Sequence, residues 1–207
     1  MELINFDLDI KTNIIGVDEV GRGSFAGDVF AGAVHFSDLK NDFQNIKNFH
    51  LINDSKQLSI NSRKFFSQEI KKTAFFALGK ACCKEIDKYG ISKAVSFAMK
   101  RAVVNLLNLL KTKKFLILVD GIKKIEDLDL EQTTLKKGDS RSFHIACASI
   151  IAKVERDAYM DELHKKYSIY NWQKNKGYGT LQHRQAIIQH GYCEEHRKLF
   201  LRKLNLN

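Results

Sequence analysis

Apolar positions along this chain follow two periods. Short runs rich in β-branched and other apolar residues at 13–19 (NIIGVDE), 28–36 (DVFAGAVHF), 74–82 (AFFALGKAC) and 114–120 (KFLILVD) predict strands, with a weaker fifth at 132–139 (QTTLKKGD). Between and after them, residues 61–72, 91–111, 142–166, 181–190 and 194–204 carry helical patterns. Strands early and helices late predict a sheet covered by helices, α/β or α+β, finished by a helical section over about 166–207. No repeat, linker or low-complexity tract interrupts the pattern, so residues 1–207 read as one domain. The 142–166 segment gathers Ala and Ser on one side, which suits close packing on a sheet. The 91–111 segment is apolar enough to be mostly core, with Phe97 and Met99 as packing residues.

Size and charge narrow the classes. A chain of 207 residues can bury a core without staples. Cys82, Cys83, Cys147 and Cys193 show no C-x-x-C spacing for zinc or redox chemistry, and reduced thiols in the cytoplasm are the economical reading. The acidic, polar start MELINFDLDIKTN is neither a signal nor a transit peptide, and no apolar run long enough to span a membrane follows. Lys and Arg total 34 against 24 Asp and Glu, a formal charge of +10 that favours a polyanionic partner. Basic residues continue through Lys165, Lys166, Lys174, Lys176, Arg184, Arg197, Lys198, Arg202 and Lys203, as on a surface that binds a nucleic-acid backbone. Nothing in the pattern exposes an amphipathic seam, so a monomer is expected.

Against that charge, VDEVGRGSFAG (17–27) sets Asp18 and Glu19 directly before a glycine-rich turn. The turn formally satisfies the dinucleotide-binding fingerprint, but two carboxylates there would repel a pyrophosphate, and no Gly-Lys-Ser/Thr follows to make a P-loop. A carboxylate pair beside a phosphate-sized turn makes sense if metal ions lie between them, and Mg²⁺ commonly bridges carboxylates to a substrate phosphate. Asp120 closes the apolar run FLILVDG, where it fits either a turn or a site. Asp139 in LKKGDS precedes the long helix, where it fits either a site or an N-terminal cap. Four acids at strand ends, able to converge at one sheet edge, favour a common site. Adjacent residues in a regular strand face opposite ways, so sharing by Asp18 and Glu19 requires the strand to end or bulge at Glu19. Glu155 and Asp157 are expected to pair with Lys153 or Arg156 on their own helix, and none of the seven histidines is assigned as a ligand.

These blocks resemble the ribonuclease HII family. GVDEVGRGSFAG, NDSKQLS (53–59), LVDG (118–121), KKGDSRSFHIACASIIAKVERD (136–157), KGYGT (176–180) and HGYCEEHRKLF (190–200) follow the family's motifs in order, from about residue 13 to 201. The resemblance implies a ribonuclease H-like α/β fold, a five-stranded mixed sheet flanked by helices with a helical, substrate-binding C-terminal region. It implies that Asp18, Glu19, Asp120 and Asp139 hold two divalent ions, Mg²⁺ or Mn²⁺. It implies that Gly21, Arg22 and Gly23 contact the ribonucleotide and its 2′-hydroxyl, that Tyr178 stacks at the RNA–DNA junction, and that Lys56 lies near the substrate backbone. The implied activity is a two-metal endoribonuclease acting on RNA–DNA hybrids and on duplex DNA with an embedded ribonucleotide, cut on its 5′ side to leave 3′-hydroxyl and 5′-phosphate ends. Its implied setting is ribonucleotide removal in replication and repair, where a replication protein could recruit it.

Two positions depart from the family pattern: Asp28 and Tyr192 stand where it usually has proline, in a chain with no proline at all. Asp28 is expected to add an acid near the site while facing solvent. The competing readings are a nucleic-acid binding module without catalysis, a nucleotide-binding oxidoreductase, and a ribonuclease HIII-like specificity. Arg22, where ribonuclease HIII resembles G-T-G, favours the HII type.

Overall fold

The computed structural model describes residues 2–52, 58–110, 114–202 and 204. Five strands, β1 (Ile14–Val20), β2 (Val29–His35), β3 (Phe75–Ala81), β4 (Leu116–Asp120) and β5 (Glu131–Leu135), form one sheet in the order β3-β2-β1-β4-β5. β1, β2 and β3 are antiparallel neighbours, while β4 pairs in parallel with both β1 and β5. This is the five-stranded mixed sheet that the family resemblance implies. The helices are α1 (Glu2–Leu8), α2 (Leu39–Asp42), α3 (Ile60–Thr73), α4 (Cys83–Tyr89), α5 (Ile91–Leu107), α6 (Phe143–Lys166), α7 (Trp172–Asn175), α8 (Leu181–His190) and α9 (Lys198–Leu201). Among the described residues no helix is long and apolar enough to cross a membrane.

Alternation along β1 sends its apolar residues into two separate core clusters. Ile15 and Val17 turn toward α5, where Ala94, Ala98, Met99, Ala102 and Leu106 bury against them. Ile14 turns the other way, packing with Leu118, Leu135 and Ile145 of α6. The small residues of α6 allow a very close approach, as the sequence suggested. A Cβ added at Gly32 of β2 would lie 2.5 Å from the Ala148 carbonyl oxygen, so only glycine fits beneath the helix there. Met99 is buried and Phe97 packs at the margin of the same core, as expected.

Three features departed from the sequence pattern. The expected helix at 194–204 reduces to the single turn α9, because the chain before it serves other partners. Ala26 and His196 form a bridge, Arg197 N–H donates to the Phe25 carbonyl, and the Asp87 carboxylate caps Lys198 N–H (3.1 Å) and Leu199 N–H (2.8 Å). The polar N-terminal stretch forms α1, which is tied to the start of α6. Asp7 Oδ2 accepts from the Ser142 hydroxyl (3.1 Å), His144 N–H (2.9 Å) and His144 Nδ1 (2.8 Å). Third, Lys153 pairs with Asp157 at 2.7 Å as expected, but Glu155 reaches Lys71 of α3 instead, and Arg156 forms no such pair because it turns inward.

Candidate active site

The acidic centre forms where β1 and β4 part. Their ladder runs from Ile14↔Leu116 to Val17↔Val119 and stops, leaving Asp18 and Asp120 one residue beyond the last pair. Contrary to the sequence expectation, β1 neither ends nor bulges at Glu19. It stays in register with β2 through Glu19↔Ala31 and Val20↔Phe30. Past Val17, however, the edge facing β4 is unpaired, so side chains of opposite parity reach one opening. Asp18, Glu19 and Asp120 each bring a carboxylate oxygen to within 4.8 Å of the others.

Asp139 sits on the 3-10 turn Gly138–Ser140 between β5 and α6, buried beside the centre but outside that group of three. It is not the cap of α6. Ser142 takes that role, its hydroxyl accepting from Ile145 N–H at 3.3 Å. The turn is fastened to the centre by Gly138 N–H, which donates to Asp120 Oδ1 at 2.6 Å.

Electrostatics mark the same spot. Burial, then the charges of Glu19 and Asp120, push the Asp18 carboxyl well above its ordinary range, with the Ser149 hydroxyl pulling partly back. Glu19 is raised by burial and by Asp120, opposed by Arg22, whose Nη1 stands 3.6 Å from Glu19 Oε1. Oxygen donors crowded until they resist ionisation fit a hard divalent cation, which would restore their charge by neutralising it. Beside them opens a cleft of about 200 Å³ lined by Glu19, Arg22, Ser92, Asp120, Lys123 and Lys124. The two lysines were missed in the sequence, where they follow Asp120 as ordinary loop residues.

The glycine-rich turn is held from behind by two buried guanidiniums. Arg197 Nη1 donates to the carbonyls of Gly21 (2.7 Å), Arg22 (3.1 Å) and Ser24 (2.9 Å), while its Nε and Nη2 both reach Gly27. Arg156 donates to Asp28 O, Lys176 O, Ala26 O and the Ser24 hydroxyl. Neither arginine could be singled out in a chain with 34 basic residues, since only the fold buries them. Arg197, Lys176 with its Asp161 ion pair, and Lys165 and Lys166 with theirs therefore subtract from the basic C-terminal surface that the sequence suggested.

Gly21 has φ +87°, and a Cβ there would meet Arg156 Nε at 2.0 Å. At Gly23 nothing lies within 4 Å of the same atom. Gly21 is thus demanded by the fold, whereas Gly23 faces open space. Tyr178 lies against this turn through a bridge to Ser24, its ring partly exposed at 38% and 5.7 Å from the Arg156 guanidinium. Lys56 lies outside the described residues.

Asp28 corrects an expectation. It follows the left-handed turn at Gly27 (φ +79°) and is buried, in a cluster separate from the acidic centre. It is buried 3.6 Å from Lys80 Nζ and grouped with Cys83 and Glu195. Burial raises its pKa, Lys80 opposing.

Comparison with known proteins agrees with this geometry. The family model described as Ribonuclease HII matches residues 15–204. A ribonuclease HII of Wolbachia pipientis subsp. Culex pipiens is 45% identical over 187 residues, covering 90% of this chain and 89% of the relative. The crystal structure of ribonuclease H2 from Pyrococcus horikoshii superposes with a TM-score of 0.71 at 25% identity, covering 93% of this chain and 96% of that one. Bst-RNase HIII in complex with Mn²⁺ has the same fold (TM-score 0.71, 20% identity), covering 91% of this chain and 64% of its own.

Proposed function

The chain belongs to the ribonuclease HII family and is a ribonuclease H; on that premise we propose that it cuts RNA in RNA–DNA hybrids and nicks duplex DNA on the 5′ side of an embedded ribonucleotide. Hydrolysis forms a bond from a water oxygen to phosphorus and breaks the P–O3′ bond, leaving a 5′-phosphate and a 3′-hydroxyl. The observation that carries this reading is the convergence of Asp18, Glu19 and Asp120 within 4.8 Å, beside a cleft with lysines on its wall.

In this reading Asp18, Glu19, Asp120 and Asp139 hold two divalent ions, Mg²⁺ or Mn²⁺. When bound, such ions lower the pKa of a water and offset charge on the scissile phosphate and leaving oxygen. The protein's own groups supply orientation. Asp120 is fixed by Gly138 N–H, and Asp18 Oδ1 accepts from Glu19 N–H at 2.6 Å, so neither carboxylate must reorganise when charge arrives. Arg22, Lys123 and Lys124 face the cleft as phosphate contacts. The turn Gly21–Gly23, pinned by Arg197, offers rigid backbone close enough to read a 2′-hydroxyl, with the open space at Gly23 as the approach. Tyr178 stacks its ring at the junction, a contact of roughly 1–3 kcal/mol. In the same reading the protein is a cytoplasmic monomer acting in ribonucleotide removal during replication and repair.

The experiment is a gel assay on a labelled DNA duplex carrying one ribonucleotide, with Mg²⁺, with Mn²⁺ and with EDTA. Metal-dependent nicking on the 5′ side of the ribonucleotide supports the reading. Intact binding without cutting overturns it.

A further inference from the structure

His183 is fully buried in the first turn of α8, among aromatic rings, and belongs to no part of the acidic centre. Its partners fix its tautomer. Trp172 Nε1–H, a group that can only donate, lies 3.0 Å from His183 Nε2, so that nitrogen accepts and the ring proton sits on Nδ1. His183 Nδ1 lies 2.9 Å from the Tyr178 carbonyl oxygen. The second histidine is consistent with this tautomer: His196 Nδ1 accepts from Cys193 N–H at 3.0 Å, so its proton sits on Nε2, which lies 3.2 Å from His183 Nε2 and shares that nitrogen's one lone pair with Trp172 as the longer contact. Burial lowers the pKa of both rings, His196 to about 3, which keeps this neutral arrangement in place.

The consequence falls on Tyr178. Its carbonyl accepts from Thr180 N–H (2.8 Å) as well as from His183, and its N–H donates to the Asn175 carbonyl (2.8 Å). The main chain is therefore held on both sides while the ring remains partly exposed. A stacking side chain contributes most when its backbone is already immobile, because ordering it on binding then costs little.

Building on the reading of Tyr178 as the junction contact, we propose that His183 is a positioning residue that holds the Tyr178 carbonyl through Nδ1–H and so sets the ring for a single embedded ribonucleotide.

Two variants separate this hydrogen bond from the rest of the network. His183→Asn keeps a donor close to the Nδ1 position. His183→Gln instead places its amide near Nε2, beside Trp172 and His196, and leaves the Tyr178 carbonyl without this donor. The readout is the ratio of kcat/KM at a single embedded ribonucleotide to kcat/KM on a continuous hybrid, in which general loss of folded enzyme cancels. Tyr178→Ala serves as the reference. The expected result is a ratio lowered about fivefold in His183→Gln, the scale of one hydrogen bond, and by no more than about twofold in His183→Asn. Combined with Tyr178→Ala, His183→Gln lowers the ratio no further, because both act through one ring. A lowered ratio in Tyr178→Ala with equal ratios in His183→Asn and His183→Gln overturns the proposal alone. An unchanged ratio in Tyr178→Ala overturns the junction reading, and the proposal with it.

Discussion

Gly138 N–H donates to Asp120 Oδ1 at 2.6 Å, so the end of one strand and the turn that carries Asp139 are joined by a single short hydrogen bond. The turn that carries Asp139, 19 positions further on in sequence, is thereby held beside the acidic centre that Asp120 shares with Asp18 and Glu19. The same bond leaves Asp120 with a fixed carboxylate orientation beside Asp18 and Glu19. Its neighbours, however, are anions, and the centre is built under mutual repulsion.

Burial of Asp18, reinforced by that repulsion, predicts a charge-dependent stability. Asp18 has its folded pKa raised above the unfolded value, so its contribution is fully present below the ordinary carboxylate range and is lost as pH rises through the raised value. Without metal, Asp18→Asn should therefore melt higher than the parent at neutral pH, the gap narrowing toward acid pH. Calorimetric scans across pH check this. Mg²⁺ or Mn²⁺ at a hundred times its dissociation constant should stabilise the parent by about 2.7 kcal/mol and the variant far less.

Activity should move the opposite way. Asp18→Asn and Asp120→Asn should each lower hybrid cleavage by at least about a hundredfold, the scale of removing one preorganised electrostatic contact. Hybrid binding, read by filter retention, should stay level or tighten, since a negative charge near the phosphate is removed. Normal turnover in either variant would remove these carboxylates from the chemistry.

The two glycines of the turn should separate. Gly21→Ala forces a side chain into a left-handed backbone (φ +87°) and against Arg156, costing about 2 kcal/mol or more in urea unfolding. Gly23→Ala meets nothing within 4 Å and should leave stability within about 0.5 kcal/mol of the parent. Its cost should appear in KM for a ribonucleotide-containing duplex. A Gly23→Ala enzyme with parental kinetics would place the substrate elsewhere.

Arg197 should behave as a structural bolt. Arg197→Met leaves the carbonyls of Gly21, Ser24 and Gly27 without their buried donor, for an expected loss of about 3–5 kcal/mol. Arg197→Lys retains the charge but puts three N–H donors at one point instead of a planar fork that reaches four carbonyls, so an intermediate loss is expected by the same measurement.

Asp28 offers a milder test of burial. Its pKa is raised in the fold, so its charged form opposes folding at neutral pH, and Lys80 is exposed enough to keep its own hydration. Asp28→Asn should raise the melting temperature at pH 7, with the advantage shrinking as pH falls. A lower melting temperature at pH 7 would show that the Lys80 pair outweighs the burial cost.

Much of this was legible in the linear chain. The alternation of apolar runs located all five strands and the longer helices, since period and β-branching are local properties. The four acids stood out because carboxylates at the ends of apolar strands are costly to bury without a task, and the motif order tied them to one family. What only the tertiary structure decided depends on long-range burial and register. Asp18 and Glu19 share a site because β4 leaves β1 after Val17, a register fact with no local signature. Asp28 is buried beside Lys80, and 194–204 keeps only the short helix that starts where Asp87 caps Lys198 and Leu199, because Arg197 N–H and His196 pair with the chain around Phe25 and Ala26. Arg156, Arg197 and His183 carry no mark among many similar residues until the fold removes water from around them, at which point each hydrogen bond they make becomes one that the surrounding backbone cannot replace.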